Sequence, residues 1–444
     1  MAAISDDDGP ARQRLFPGSG VVGKFVGNDM LAKWIGRSAR KIELSPRTLS
    51  ALGPYADEPP AGLEATLGLV EQLQVEAGPL NDQLPIDRNV FLTAGSIRIR
   101  THSKCDLLLK AGTPQARYPL PSTPSVSSLH ATEPCELLVI PRPGSGRHDR
   151  AAEHPPGHPE LSADEAVAMQ QLRAHFHEAR CELPSLPDLA LKIGQAIDDP
   201  KNDNEHIARL IQLDPSLTAR MLSVVNSAAF GGLSKITSIS QATARLGRHK
   251  VRSLVYSCLL KGIFEASSPA MKQRAEALWQ HSVSVAALAF VLGRATPGID
   301  AEQALLAGLI HDIGAVAIIG GINQFPALTR RELVFDYIIA SMRTELGLRT
   351  LRQWRLHSEF RDVVRDGRNW RRVGSAIPEN PDVVILAQLH AMIGTSEQSR
   401  LPRIDTVPAF FKLAHGELTP RHSLSLLEEA EADVREVRAL IGAA

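Results

Sequence analysis

Three residues of this sequence have the types and spacing of a metal site. His311 and Asp312 are adjacent at the end of the apolar run Ala307–Gly314, and His281 lies 30 residues earlier on a predicted helix. Imidazole nitrogens and carboxylate oxygens bind divalent metal ions, and two antiparallel helices would bring these side chains to one point. The alternative is a buried histidine followed by a capping aspartate, because a His-Asp dipeptide alone is common.

A basic segment between Arg349 and Arg372 is the second candidate region. It contains eight arginines and three acidic residues, with two tryptophans among them. Such a segment is either a solvated helix face with internal ion pairs or a docking surface for an acidic partner, a nucleotide or a nucleic-acid backbone. The residues predicted to form an interaction surface are Arg349, Arg352, Trp354, Arg355, Trp370, Arg371 and Arg372.

The elements that must position these residues are helices. From Ser162 onward apolar residues recur at helical spacing, and Ser162 with Glu165 forms the capping pattern of a helix start. Strand signals are absent over roughly 200 residues, so the second half is predicted to be all-α. The predicted helices include Leu186–Ile197, Asn204–Leu213, Ser216–Asn226, Ser240–Leu246, Lys250–Ala266, Pro269–Leu292 and Glu302–Ile310.

The first half has a different pattern. Two amphipathic segments, Asn28–Leu52 and Leu63–Ala77, are predicted to be helical. Between Leu84 and Ile140, short apolar or alternating runs separated by Gly, Pro and Asp predict a small β-barrel or sandwich. Residues 141–160 contain five prolines and three glycines and form the predicted linker.

The composition is that of a globular protein. Of the 444 residues 43% are hydrophobic, and 49 basic residues balance 49 acidic ones, so no net charge attracts nucleic acid or an anionic membrane. The cysteines (Cys105, Cys135, Cys181 and Cys258) lack metal-site spacing and are predicted to be reduced thiols. We expect no apolar run of the roughly 18 residues that span a membrane, no secretory signal, and a cytoplasmic location.

The blocks after residue 180 resemble the HD-related output domain (HDOD) family. They occur in the order Leu183-Pro-Ser-Leu-Pro187, Leu213-Asp-Pro-Ser-Leu217, Leu222–Phe230, Ile236-Thr-Ser-Ile239, Ala242–Gly247, Trp279-Gln-His281-Ser282 and Gly308-Leu-Ile-His311-Asp312-Ile-Gly314. The resemblance covers about residues 180–395. It implies an all-helical HD-like fold and a bacterial signalling role, in a family generally regarded as non-enzymatic.

The resemblance also implies that catalysis is lost. Active HD-superfamily enzymes carry an early His, the HD pair and a late Asp, which correspond to His281, His311-Asp312 and position 388. This chain has Gln388, whose neutral amide cannot supply the anionic oxygen that holds a divalent ion and lowers the pKa of its bound water. Paired histidines expected after Trp354 are replaced by residues 366–372. We expect no catalytic residue, vestigial metal candidates at His281, His311 and Asp312, and no cofactor beyond a weakly bound divalent metal.

Residues 84–142 resemble a cyclic-nucleotide-binding domain, through the runs Leu92–Ile99, Leu108–Gly112 and Leu129–Ile140. The phosphate cassette of that family is missing, since Arg117-Tyr-Pro-Leu-Pro-Ser-Thr-Pro-Ser stands in its place. No nucleotide-binding residue is therefore predicted. Gly18–Lys24 has the spacing of a phosphate-binding loop, but Phe25 replaces the metal-binding Ser or Thr, so ATP binding is not expected.

The predicted organisation is multidomain, with an all-α HD-like C-terminal domain and a smaller mainly-β N-terminal domain. The segments are a leader (1–28), a degenerate cyclic-nucleotide-binding-like domain with flanking helices (29–142), a linker (143–160), the HDOD domain (161–395) and a helical extension (396–444). The leading hypothesis is a non-catalytic regulator that docks with a signalling protein, with no membrane or nucleic acid involved and the oligomeric state open. The alternatives are a metal-dependent HD-type phosphohydrolase or phosphodiesterase and a cyclic-nucleotide-responsive regulator.

Overall fold

The computed structural model describes most of the chain from residue 40 onward. The described residues are 40–41, 44–56, 58–81, 84–85, 88–101, 106–121, 126–142, 159–177, 183–230, 235–264, 268–356, 358–395, 398–413 and 431–442. The predicted leader, the Gly18–Lys24 pattern, most of the linker, Cys105 and Cys181 lie outside them.

The described part of the first half is a β region with two short helices. Its helices are α1 (Pro46–Ser50) and α2 (Pro60–Leu67), and its strands are β1 (Arg40–Lys41), β2 (Glu71–Val75), β3 (Gly78–Pro79), β4 (Arg88–Ala94), β5 (Ser96–Thr101), β6 (Asp106–Lys110), β7 (Val126–Ala131) and β8 (Cys135–Pro141). They form two antiparallel four-stranded sheets, in the orders β1-β2-β8-β4 and β3-β7-β5-β6. The predicted strand-forming runs between Leu84 and Ile140 are confirmed.

The predicted helix Leu63–Ala77 is wrong in its second half. The helix ends at Leu67 and the chain continues as β2, in which Leu73 pairs with Leu137 of β8. Leu73 and Val75 are buried while Gln74 between them is exposed, so the two-residue alternation of a strand prevailed over the helical spacing. Of the described residues in the predicted helix Asn28–Leu52, only Pro46–Ser50 is helical.

The second half is helical, as predicted, and contains no strand among the residues described from 159 onward. Its helices are α3 (Ala163–His177), α4 (Asp188–Asp198), α5 (Asn204–Gln212), α6 (Pro215–Val225), α7 (Ile239–Leu246), α8 (Arg248–Leu259), α9 (Pro269–Ala295), α10 (Ala301–Ile310), α11 (Ile313–Gly321), α12 (Glu332–Gln353), α13 (Ser358–Asp366), α14 (Asn380–Ala391), α15 (Pro408–Leu413) and α16 (Glu431–Gly442). Two helix boundaries have clear local causes: the Asp214 carboxylate caps α6, and Gly247 ends α7 with a φ of 86°.

The two halves are joined by a shared core, and a buried ion pair of the second half lies beside it. Ala376 and Ile377, which follow α13, lie in the hydrophobic core of the β region, and the Ala376 amide donates to the Pro119 carbonyl across 2.8 Å. Nearby, the Lys412 ammonium and the Asp382 carboxylate, both fully buried, are 2.9 Å apart. The β region and the helices are therefore in direct contact.

Two segments have the length and hydropathy of a membrane span, so the expectation of no such apolar run is wrong. They are Met271–Ala295 and Ala301–Gln324. Of the 18-residue stretch that is apolar enough to span a membrane, 61% is buried inside the protein in the first segment and 89% in the second. Core helices have the same composition, so these segments are weak evidence for a membrane.

Candidate functional site

Three helices bring the predicted metal candidates together. His281 lies within α9, while His311 and Asp312 occupy the junction between α10 and α11. Helices α9 and α10 approach closely because Gly308 lacks a side chain: a β-carbon there would lie 2.5 Å from the Ala286 α-carbon. One ligand atom from each of His281, His311 and Asp312 lies within 4.8 Å of the other two.

The His311 ring is oriented as a metal-binding imidazole is. Its Nδ1 lies 2.7 Å from the Gly308 carbonyl oxygen, an acceptor, so Nδ1 carries the proton and Nε2 has a bare lone pair. The His281 and His311 rings are 5.2 Å apart, edge to face. The Nε2 atoms of both rings are buried and have no hydrogen-bond partner among the described residues.

Asp312, in contrast, is already engaged by two cations. Arg343 Nη1, from α12, lies 3.3 Å from Oδ1, and Arg368 Nη2, from the turn after α13, lies 2.6 Å from Oδ2. The His311 Nε2 atom is 3.7 Å from the same Oδ2. Each carboxylate oxygen thus accepts a charge-assisted hydrogen bond from a guanidinium, which is the strong type of hydrogen bond.

The pKa values of the trio follow from burial and from these arginines. Burial lowers the pKa of His281 to about 3, assisted by His311 and Arg368. Burial also lowers the pKa of His311. Burial alone would raise the pKa of Asp312, but Arg368 and Arg343 outweigh it and hold that pKa below its usual range. At neutral pH the imidazoles are therefore uncharged and the carboxylate is ionised.

These residues do not fit the divalent metal that the HD resemblance implies. The bare Nε2 atoms would suit such an ion, but the one carboxylate is neutralised by two guanidinium groups, which leaves the cluster with a net positive charge of one. A divalent cation would have to displace at least one arginine and approach the other.

Gln388 takes a structural position. It is fully buried in α14, and its Nε2 atom donates to the Gly367 carbonyl across 2.6 Å. Gly367 immediately precedes Arg368. The amide at the predicted late-Asp position therefore secures the turn that brings Arg368 to Asp312.

The predicted interaction surface is only partly exposed. The prediction is wrong for Trp354, which is 3% exposed and donates to the Pro184 carbonyl, and for Arg372, which is 9% exposed and pairs with Asp382. Arg349 is half-buried and donates to the Phe176 carbonyl, and Trp370 is half-buried against the core. The candidates that are exposed are Arg352, Arg355 and Arg371.

Arg343 and Arg368 are the site residues that sequence reasoning missed. Arg368 lies inside the arginine-rich segment, in the stretch that replaces the paired histidines, so its position was a usable signal. Arg343 lies 31 residues after Asp312, and nothing in the local sequence indicates that its guanidinium turns inward.

Comparison with known proteins agrees with this fold. Residues 183–369 match the family model of the HDOD domain. An uncharacterized protein of Treponema pallidum (strain Nichols) is 28% identical over 209 residues, which are 44% of this chain. The chain spans only 39% of that relative's length.

Two solved structures each match a little over three fifths of the chain. A Shewanella amazonensis SB2B protein, provisionally named a metal-dependent phosphohydrolase, is 21% identical with a TM-score of 0.53, over 63% of this chain and 100% of that one. A Geobacter sulfurreducens HDOD domain protein of unknown function is 21% identical with a TM-score of 0.45, over 62% of this chain and 98% of that one. The first of these similarities supports a common fold and nothing further.

Proposed function

We propose that the HDOD domain is a non-catalytic output module that transmits a signal by docking with a partner protein. The observation that carries the proposal is that both carboxylate oxygens of Asp312 accept hydrogen bonds from arginines. Asp312 of the HD pair is then the anion of an internal ion-pair cluster with Arg343 and Arg368, which stabilises the contact between α11, α12 and the turn after α13.

The chemistry of hydrolysis supports this view. Phosphoester hydrolysis by an HD-type centre requires a metal ion that lowers the pKa of its bound water, and anionic oxygens hold such an ion. Asp312 is committed to Arg343 and Arg368, and the amide of Gln388 is committed to the Gly367 carbonyl. What remains for a metal are two neutral nitrogen atoms beside two positive charges, which favour exclusion of a divalent cation.

We propose that the partner docks through an acidic stretch of its own chain. Its docking surface on this protein includes Arg352, Arg355 and Arg371, the exposed residues of the arginine-rich segment. Arginine pairs with carboxylates in a bidentate geometry, which suits such a partner. Cytoplasmic location and the absence of nucleic-acid binding are part of the same proposal.

A second candidate function, a regulator that responds to cyclic nucleotides, is favoured by one cavity. About 540 Å³ in volume, it lies between the β region and the helices, and Arg88, Arg142 and Arg365 are in its wall. Its size and its three guanidinium groups suit a small anion, which would compete with the pairs of Arg88 with Glu71 and of Arg365 with Asp366 and would approach Glu379 in the same wall. Calorimetry with cyclic AMP and cyclic GMP tests this alternative, and the expected result under the main proposal is no binding heat.

The main proposal is tested by a phosphoesterase assay of the full chain. Cyclic dinucleotides and nucleotides are supplied with Mg²⁺ or Mn²⁺, and His311→Ala serves as the control. We expect both proteins to give the same background rate. Hydrolysis by the wild type that His311→Ala abolishes would overturn the proposal.

A further inference from the structure

We propose that the Arg368 guanidinium takes the place of a divalent cation on Asp312, and that this one side chain decides whether the trio holds a metal ion. The inference deepens the proposed function and rests on it, since it assumes that in the wild type Asp312 is fully engaged by Arg343 and Arg368 and binds no metal ion. It predicts a latent transition-metal site formed by His281, His311 and Asp312.

The two imidazoles are already oriented as metal ligands. The His311 proton is fixed on Nδ1 by the Gly308 carbonyl, which leaves Nε2 as the donor, and both Nε2 atoms are buried without a partner among the described residues. A buried polar atom without a hydrogen bond is costly, so such a pair favours an occupant. With the Asp312 oxygen the three ligand atoms lie within 4.8 Å of one another.

The two arginines that contact Asp312 differ in distance and in exposure. Arg368 contacts Asp312 Oδ2 across 2.6 Å, and its side chain is 24% exposed. Arg343 is 10% exposed and its contact with Oδ1 is longer, at 3.3 Å. Arg368 therefore closes the trio from the solvent side, while Arg343 supports it from inside.

Removal of the Arg368 guanidinium changes both charge and access. One carboxylate oxygen, the one nearest His311 Nε2, loses its charge-assisted partner, and the net charge of the cluster falls from one positive to zero. The Arg368 side chain is 24% exposed, so its removal would open a path from solvent to the trio.

The donor set selects the class of ion. Two imidazoles and one carboxylate suit Zn²⁺, Co²⁺ or Ni²⁺, whereas Mg²⁺ requires near-octahedral oxygen coordination. Water would complete the coordination. We expect a transition-metal preference, and no gain in Mg²⁺ binding.

The test is calorimetry of the full chain with Zn²⁺ and Co²⁺, together with the visible absorption of Co²⁺, which reports its coordination. The variants are Arg368→Ala, Arg368→Gln and Arg368→Lys, the last of which retains a cation. Arg365→Ala is the matched control, because Arg365 pairs with Asp362 and Asp366, whereas Asp312 pairs with Arg343 and Arg368. The double variant with His311→Ala removes one proposed ligand.

We expect Arg368→Ala and Arg368→Gln to bind Co²⁺ or Zn²⁺ at least about tenfold more tightly than the wild type, the scale of a second-shell effect. Arg368→Lys, Arg365→Ala and the double variant should resemble the wild type. If either neutral variant melts cooperatively yet binds no better than the wild type, the inference is wrong. Tight binding by the wild type itself would also overturn it.

The two proposals fail in different experiments. The proposed function fails when the wild type hydrolyses a phosphoester, whatever Arg368 variants bind. The inference about Arg368 fails on metal affinity, and it can fail while the wild type remains inactive.

Discussion

Gly314 lies directly against the main-chain carbonyl of Arg343, so closely that a β-carbon at position 314 would overlap that oxygen. Gly347, one turn further along α12, faces the same glycine. Gly314, two residues after Asp312, thus allows α11 and α12 to pack closely. Because the helices are so close, the Arg343 guanidinium reaches the Asp312 carboxylate.

This contact predicts that Gly314→Ala is strongly destabilising. The new methyl group must displace α12, and we expect a loss of about 2 to 3 kcal/mol in the free energy of unfolding, measured by urea denaturation. Gly320→Ala is the control on the same helix, since a β-carbon there meets nothing within 4 Å. It should be neutral or stabilise by up to about 1 kcal/mol. Equal effects at both positions would contradict the close packing.

The buried histidines predict a loss of stability in mild acid. Burial lowers the pKa of His281 to about 3 and also lowers that of His311, whereas an unfolded chain titrates near 6.5. The unfolded state therefore binds more protons below pH 6.5, so the stabilising contribution is complete above that pH and is lost as the pH falls towards the folded values.

Between pH 7 and pH 5 we expect protonation of His281 in the unfolded state to account for about 2 kcal/mol of lost stability, and His311 to add to the loss in the same direction. Urea denaturation at both pH values measures this loss, with His311→Gln as the comparison. The variant should lose less stability across the interval than the wild type. A steeper or equal loss in the variant would mean that His311 is not kept neutral by the fold.

The buried pair of Lys412 and Asp382 predicts a second large effect, at the junction with the β region. The Lys412 ammonium lies 2.9 Å from the carboxylate and 5.5 Å from the centre of the Tyr118 ring. Lys412→Met removes one partner of a buried pair and should cost about 3 to 5 kcal/mol of unfolding free energy. Lys272→Met, at an exposed lysine, should change it by less than about 0.5 kcal/mol. A mild effect of Lys412→Met would show that Arg372 alone satisfies Asp382.

The Gln388 amide predicts a link between α14 and the turn that carries Arg368. Gln388→Ala leaves the buried Gly367 carbonyl without its 2.6 Å hydrogen bond and should cost about 1 to 3 kcal/mol in a denaturation experiment. Gln280→Ala removes an exposed hydrogen bond to Glu276 and is the matched control.

Gln388→Asp should give no phosphoesterase activity, because Asp312 remains bound by two arginines. Measurable hydrolysis by Gln388→Asp would show that one missing carboxylate was the whole deficiency.

The sequence predicts the helices well because local signals determine them. The capping Asp214 and the terminal Gly247 are in place, and the HD pair falls at a helix junction beside His281. The local sequence does not predict whether a given side chain points into the core or towards solvent. The same arginine-rich segment sends Arg372 inward to Asp382 and leaves Arg371 exposed, and only tertiary packing distinguishes these neighbours. The β2 strand was missed for a related reason, since its pairing with β8 overrides the helical spacing of the local sequence.

The most direct test of the central claim is a crystal structure of the wild-type protein grown with Mn²⁺, with anomalous scattering recorded to locate the ion. We expect no anomalous peak between His281, His311 and Asp312, and an Arg368 guanidinium within hydrogen-bonding distance of the Asp312 carboxylate. A strong peak bonded to the two Nε2 atoms and the carboxylate, with Arg368 turned away, would contradict it.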